Sequence, residues 1–354
     1  MQGGIRIRYK RKAEHLAIAI NTAEGPCSNG FKDVYLLQDS VPDLALEDID
    51  LSTNFLGKVL HYPLIINALT GGTEQAKDIN RSLAVMANKL GLAMAVGSMT
   101  IALERPIIKD SFTVVREVNP DGLIFANLGA NTTAKQACEA VNMIQADGLQ
   151  LHFNVPQELA MVEGDRDFRG IINNVARIVE ACPVPVIAKE VGFGFSREAI
   201  KKLYAVGITL FDNGGCGGTN FLAIEDQRNG MFDHQLDDWG IPTAVSLAEA
   251  VSLKLPIQIV ASGGLRNAAD IAKAIAMGAD MAGITGLFLK IFLKQGQEEL
   301  NKHVERLLYQ IKSVFLMSGA RDCRQMRTKP VLILSKTAEW LRARNIDPNS
   351  WANR

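Results

Sequence analysis

The chain has 354 residues, of which 47% are hydrophobic and 21% charged, and its acidic and basic side chains balance to zero formal net charge. This length suffices for one large domain or two ordinary ones, and the neutral balance gives no reason to expect a nucleic-acid partner. No secretory signal or apolar run of about 20 residues is visible, and the five cysteines are widely spread, which favours a soluble protein of the reducing cytoplasm with cysteines as small buried hydrophobes.

Short apolar runs recur along the chain with amphipathic segments between them. Such near-continuous runs are typical of strands in a parallel sheet that is covered on both faces. Ile79, Leu83, Met86 and Leu90 have helical spacing after the first run and precede Gly91, a normal helix stop. The eight runs span residues 64–72, 92–98, 123–129, 149–154, 185–192, 208–215, 257–264 and 280–286.

Eight alternating units predict an α/β fold, the (β/α)8 TIM barrel. An open doubly wound sheet is the alternative, but eight units are many for it and no GxGxxG follows the first run. We expect a single domain with an N-terminal extension (1–60) over part of the barrel, the barrel itself (61–297) and C-terminal helices (298–354). The long connection 217–241 has apolar and aromatic content that predicts an ordered lid.

Polar residues concentrate where the predicted strands end, which is where barrels of this kind build their active sites. The fourth run alternates Leu149, Leu151 and Phe153 with Gln150, His152 and Asn154. Because helices cover the outside, we expect the polar set to point into the barrel. The other strand-end candidates are Asn67, Thr70, Ser98, Asn127, Gln157, Glu158, Lys189, Glu190, Asp212, Asn213, Thr219, Ser262 and Thr285.

Glycine-rich turns follow the last three runs, as "GGCGGT" (214–219), "SGGLRN" (262–267) and "GITG" (283–286). Glycine lets backbone N–H groups approach an anion, so these turns predict a phosphate-bearing cofactor. Lys189 could compensate its charge, or instead pair with Glu158. Arg11, Lys12 and His15 could share a helical face that binds a polyphosphate, or form an ordinary solvated basic face.

These motifs resemble type 2 isopentenyl diphosphate isomerase, the flavin-dependent form. The resemblance covers nearly the whole chain and is carried by "RKAEH" (11–15), "ALTGG" (68–72), "QLHFNVPQE" (150–158), "AKEVGFG" (188–194), "GGCGGTNF" (214–221) and "ASGGLRN" (261–267). It implies an enzyme that interconverts isopentenyl and dimethylallyl diphosphates with reduced FMN and Mg2+, and that needs NADPH only to reduce the flavin. It also implies a tetramer or octamer.

The resemblance further implies roles for single residues. Arg11, Lys12 and His15 would hold the diphosphate, with Ser98 and Asn154 also on the substrate side. Glu158 would ligate Mg2+, Gln157 would lie beside the reacting carbons, and His152 would orient groups with it. FMN would be held by Ala68, Leu69, Thr70, Ser98, Asn127, Lys189, Asn213 and Thr219, and its phosphate by Gly263, Gly264, Leu265, Thr285 and Gly286.

The chain departs from the family pattern at three places. Ser98-Met99-Thr100 stands where the family usually has Ser-Gln-Arg, Asn213 replaces a flavin-side Ser, and Leu69 replaces Met. We therefore expect substrate affinity or range to differ from typical members. An FMN-dependent 2-hydroxy-acid oxidase is the second enzyme reading; it would need a catalytic histidine and arginine pair after the seventh run, where "SGGLRN" offers Arg266 but no histidine next to it. A non-catalytic flavin-binding barrel is the third reading.

Overall fold

The computed structural model of the protein describes residues 26–354, so Arg11, Lys12 and His15 lie outside the described residues. Each of the eight predicted apolar runs contains one strand, and four further described strands lie outside these runs. The strands are β1 (Val34–Leu36), β2 (Thr53–Phe55), β3 (Lys58–Leu60), β4 (Leu64–Ile66), β5 (Ala93–Ala95), β6 (Ile124–Gly129), β7 (Gly148–Phe153), β8 (Val186–Glu190), β9 (Leu210–Asp212), β10 (Gln258–Ser262), β11 (Met281–Ile284) and β12 (Val331–Ile333).

Strands β4 to β11 form a closed parallel barrel in chain order, and β11 pairs with β4 to complete it. The register at that closure places Ile284 opposite Ile66. The predicted (β/α)8 barrel is thereby confirmed, and with it the prediction that all eight strand ends meet at one mouth.

Helices fill the intervals between the barrel strands and continue into the tail. Thr73 caps the first described α-helix and Gly91 ends it in the left-handed conformation, as expected, and Asn267 caps the helix after β10. The described α-helices are Glu74–Leu90, Thr100–Glu104, Asp110–Val118, Ala134–Ile144, Val155–Ala160, Ile171–Ala181, Arg197–Tyr204, Phe221–Asn229, Thr243–Ser252, Ala268–Met277, Gly286–Met317, Cys323–Met326, Ser335–Ala343 and Asn349–Ala352.

The hairpin of β2 and β3 closes the end of the barrel opposite to the mouth. Phe55 and Leu60 of the hairpin belong to the inner apolar cluster of the barrel. The rings of Phe55 and Phe125 contact each other edge-on, with their centroids 6.4 Å apart. A larger cluster fills the layer between strands and helices, and it contains Leu149 and Leu151 of β7. The interior is therefore apolar at the bottom and polar toward the mouth.

The tail is less helical than the sequence predicts. Gly296 interrupts the helical segment Gly286–Met317 with a φ of 85°. After Lys329 and Pro330, "VLI" forms β12, which pairs antiparallel with β1, Val34 opposite Ile333. Its two β-branched residues suit an extended strand, and β1 offers the partner. Among residues 26–354, no helix has both the length and the hydropathy needed to cross a bilayer.

Candidate active site

A cavity of about 340 Å3 opens at the carboxyl ends of the barrel strands, within the size range of small-molecule sites. Nearly every predicted site residue within the described part of the chain lines it. These residues are Ala68, Leu69, Thr70, Ser98, Asn127, His152, Asn154, Gln157, Glu158, Lys189, Thr219, Gly263, Gly264, Leu265, Thr285 and Gly286. Phe221, on the helix within the 217–241 connection, also lines it, so that segment is a structured wall of the cavity.

Strand β7 supplies one wall, and its alternation behaves as predicted. Gln150 is fully buried in the barrel interior, whereas His152 and Asn154 reach the cavity. Asn127 of β6 lies opposite Gln150 in the register, and its Nδ2 donates to Gln150 Oε1 at 3.0 Å. His152 Nδ1 meets Asn127 Oδ1 at 2.9 Å. The polar face is thus a connected set of side chains rather than a solvated strand surface.

Gln157 and Glu158 lie in the short helix Val155–Ala160 that begins directly after β7. Pro156 in its first turn fits a helix start, where its missing N–H costs nothing. Asn154 Nδ2 donates to Glu158 Oε1 at 2.9 Å and to Gln157 Oε1 at 3.2 Å. The backbone N–H of Asp165 donates to Glu158 Oε2 at 2.9 Å. Both side chains are therefore held at the cavity rim in defined orientations.

Lys189 pairs with Asp212, not with Glu158 as the alternative prediction supposed. Its Nζ lies 2.9 Å from Asp212 Oδ2, and the two residues are register partners on β8 and β9. Asp212 is fully buried, and it also accepts from Asn67 Nδ2 at 2.5 Å and from the Ser262 hydroxyl. The pairing depends on strand neighbours in the closed barrel, which sequence spacing alone does not reveal.

Glu190, the last residue of β8, also lines the cavity. Its Oε2 accepts from the backbone N–H groups of Phe193 and Gly194 at 2.5 and 2.8 Å. Burial raises the pKa of this carboxyl to about 8, even though those two donors and Lys189 act in the opposite direction. Near neutral pH the carboxyl is therefore mostly protonated. From the sequence, Glu190 was identifiable only as a polar residue at a strand end, with no assigned role.

The glycine turns form a cradle at the ends of β9, β10 and β11. Gly263 has a φ of 107°, and a Cβ there would lie 2.1 Å from the carbonyl oxygen of Gly215; at Gly264 a Cβ would lie 2.1 Å from that of Gly217. Two loops thus pack backbone against backbone, which only glycine allows. The cradle borders the first turn of the helix that begins at Gly286, where backbone N–H groups favour an anion.

Asn213 is the predicted flavin contact whose side chain the geometry places elsewhere. Its Nδ2 donates to the Thr243 carbonyl at 3.1 Å, and its Oδ1 accepts from the Ser262 N–H at 2.9 Å. This amide joins the strand ends and does not line the cavity. Beside Ser98, Met99 is buried and Thr100 is the first residue of a helix. The hydroxyl oxygens of Ser98 and Thr100 are 3.2 Å apart.

Cys27 and Cys216 form a disulfide, with their Cα atoms 5.7 Å apart. We expected all five cysteines to be free, and the structure leaves Cys138, Cys182 and Cys323 so. Residues 189 apart in sequence meet here because the segment around Ser28 and Asn29 lies against the glycine cradle. Sequence spacing alone does not predict such a contact.

Comparison with known proteins gives concordant results. The model of the FMN-dependent dehydrogenase family matches residues 124–332. The isopentenyl-diphosphate delta-isomerase of Moorella thermoacetica is 47% identical over 95% of this chain and 97% of its own length, and that of Symbiobacterium thermophilum is 45% identical over 98% and 99%.

Solved structures of mandelate oxidase variants share the fold at low identity. One with benzaldehyde has a TM-score of 0.68 and 14% identity, covering 90% of this chain and 94% of its own. Another, with a C4a-OH-FMN adduct, has a TM-score of 0.66 and 13% identity, covering 90% and 95%. Together with the full-length relatives, the barrel and its cavity show that this chain belongs to the isopentenyl-diphosphate delta-isomerase family, built on the FMN-dependent dehydrogenase barrel.

Proposed function

We propose that this protein is an isopentenyl-diphosphate delta-isomerase that interconverts isopentenyl and dimethylallyl diphosphates with reduced FMN in the barrel cavity. The observation that carries the proposal is the convergence of one cavity wall, Asn154 with Gln157 and Glu158, with a glycine cradle at the opposite strand ends. The full-length relatives carry this name. The reaction moves a double bond without net redox change, so it needs proton transfer rather than a hydride acceptor.

The residues present fit FMN. Gly263 and Gly264 leave backbone exposed where a Cβ would collide, and the start of the Gly286 helix suits a phosphate. Lys189 supplies a fixed positive charge inside the barrel. Ala68, Leu69, Thr70, Ser98, Asn127 and Thr219 would border the rings. Reduced FMN, when bound, supplies the acid/base group.

Around that cofactor the chain's own side chains bind and orient. Glu158 would hold Mg2+, a hard ion that takes one or two carboxylates together with substrate phosphate oxygens. Gln157 is neutral and a poor proton carrier, so its role would be to position the reacting carbons, with His152 beside it. Arg11, Lys12 and His15 would bind the diphosphate with Ser98 and Asn154. A cytoplasmic location and assembly into tetramers or octamers stay predictions, as does reduction of the flavin by NADPH.

One assay tests the proposal. Purified protein is incubated without oxygen with FMN, NADPH, Mg2+ and isopentenyl diphosphate, and we expect dimethylallyl diphosphate as product. FMN-bound protein that gives no product under these conditions would overturn the isomerase function. A 2-hydroxy-acid oxidase would instead bleach oxidised flavin when mixed with a 2-hydroxy acid, and we expect no such bleaching. Among the described residues that line the cavity, His152 is the only histidine.

A further inference from the structure

A chain of hydrogen bonds crosses the barrel interior from His152 to Asp212. It runs from His152 Nδ1 to Asn127 Oδ1 (2.9 Å), from Asn127 Nδ2 to Gln150 Oε1 (3.0 Å), from Gln150 Nε2 to Asn67 Oδ1 (3.0 Å), and from Asn67 Nδ2 to Asp212 Oδ2 (2.5 Å). The three amides and Asp212 are each at most 3% exposed. We call these five residues the amide relay.

The contacts of Asp212 determine which end of each amide donates a hydrogen bond and which end accepts one. Lys189 Nζ lies 2.9 Å from Asp212 Oδ2, and the backbone N–H of Gly214 donates to Oδ1 at 3.3 Å. Ammonium and backbone N–H groups only donate, so both carboxyl oxygens of Asp212 act as acceptors here. Asn67 must then turn its NH2 toward it. The backbone N–H of Ala68 donates to Asn67 Oδ1 at 2.9 Å, which independently requires the same orientation.

That orientation passes along the relay because each amide has one accepting and one donating end. Asn67 presents its oxygen to Gln150, so Gln150 donates its NH2 there and turns its own oxygen to Asn127. Asn127 donates in turn and faces His152 with its oxygen. A carbonyl oxygen can be met only by a donor, so His152 Nδ1 carries a hydrogen.

We propose that Asp212, acting through the three amides, holds His152 in the tautomer with hydrogen on Nδ1, so that Nε2 of the neutral ring is its accepting nitrogen. Asp212 is then a positioning residue. The tautomer is independent of the reaction catalysed; its use in turnover, where Nε2 would take a proton or a hydrogen bond beside Gln157, rests on the proposed function. Lys189 and Ser262 become supports of the same anchor.

The test is the nitrogen NMR spectrum of the FMN-loaded protein labelled with 15N in its five histidines. At about pH 8, above the usual histidine pKa, the His152 ring is assigned by its loss in His152→Gln. We expect Nδ1 to be the protonated nitrogen and Nε2 the unprotonated one. Hydrogen on Nε2, whether alone or in a persistent imidazolium, overturns the inference. This readout does not depend on isomerase activity, so failure of the proposed function would leave it standing.

A variant then tests the relay itself. Gln150→Met keeps the length of the side chain but removes the central amide, so Asn127 is free to rotate. We expect His152 to become a mixture of tautomers and kcat to fall while flavin still binds. Ser246→Ala removes an equally buried hydroxyl outside the relay, one that donates to the Phe195 carbonyl. It should leave the His152 spectrum unchanged. An unchanged spectrum in folded Gln150→Met would show that the relay does not set the tautomer.

Discussion

Single side chains at the mouth of this barrel owe their orientation to hydrogen bonds with neighbouring side chains. Asn154 illustrates this, because its one NH2 group holds both Gln157 and Glu158 at the rim. Inside the barrel, Asp212 accepts hydrogen bonds from Lys189 and Ser262 and so fixes the positions of both side chains. Effects of substitution at this scale should therefore separate into loss of a binding group and loss of its support.

Glu158 is the residue whose loss should affect the metal alone. In Glu158→Gln the amide keeps the length of the side chain and one hydrogen-bonding oxygen, but it lacks the charge that Mg2+ prefers. We expect Mg2+-dependent turnover to be abolished and FMN to stay bound, measured by product formation across a Mg2+ series and by the flavin absorbance spectrum. Loss of flavin instead would mean that Glu158 belongs to the cofactor site.

Glu190 should make stability depend on pH. Burial raises its pKa from 4.5 to about 8 in the folded protein. Between these two pH values the native state keeps a proton that the unfolded chain has already released. The stabilisation is complete below about pH 4.5 and is lost as the pH rises through about 8, at up to about 1.4 kcal/mol per pH unit.

The free energy of unfolding, measured in denaturant from mildly acid to mildly alkaline pH, checks this expectation. Glu190→Gln imitates the protonated carboxyl and should remove that part of the slope. Glu139→Gln, at an exposed carboxylate on the helix Ala134–Ile144, is the matched control and should keep the slope of the wild type. A slope that persists in Glu190→Gln would place the titration at another group.

Much of this residue pattern could be predicted from the sequence, and the rest depended on strand neighbours. The alternation in 149–154 sufficed to point Gln150 and His152 inward, because a strand repeats every two residues. The partner of Lys189 could not be found in this way. Asp212 is adjacent only because β9 pairs with β8 in a specific register.

At the scale of elements, loops that touch one another build the site. The turns after β9 and β10 approach so closely that glycines 215, 217, 263 and 264 face each other through backbone atoms. In the sequence, these glycines predict access of a ligand to the backbone. The structure adds a second reason, the mutual packing of the two loops, which becomes visible only when both turns are placed side by side.

The cradle provides a prediction at this scale. In Gly263→Ala the new methyl group would lie 2.1 Å from the Gly215 carbonyl oxygen, so the two loops must separate. We expect FMN affinity to fall more than tenfold, about 1.4 kcal/mol or more in binding free energy, measured by titration of the apoprotein with FMN. Gly170→Ala is the control: it has a φ of 76° but nothing within 4 Å. Equal flavin affinity in the two variants would contradict a role for the cradle.

For the whole molecule, the tail is bound to the barrel wall by a buried charge. Glu249, in the helix Thr243–Ser252, is 1% exposed, and Arg344 beyond the helix Ser335–Ala343 reaches it with Nε at 2.7 Å from Oε1. Arg344 also meets Glu198 on the neighbouring helix at 2.6 Å. The backbone N–H of Arg197 is the other donor to Glu249.

Arg344→Ala should therefore destabilise the entire chain. It leaves the Glu249 carboxylate buried with one donor fewer, and since Arg344 is itself partly exposed we expect a loss of about 2 kcal/mol in the free energy of unfolding. Arg342→Ala removes an exposed arginine at the end of the helix Ser335–Ala343 and should change little. Chemical denaturation measures both. If only the tail unfolded earlier, in a separate transition, the tail would be an independent unit.

The pairing of β1 with β12 has a consequence for the order of folding. Val34 and Ile333 are separated by nearly the whole chain, and a contact between such distant positions forms late and slowly. During synthesis the N-terminal region emerges first and must wait, with β1 unpaired, until the last strand has left the ribosome. The segment that carries Arg11, Lys12 and His15 precedes β1 in the chain. An incomplete nascent chain could thus form much of the barrel while β1 still lacks its partner strand.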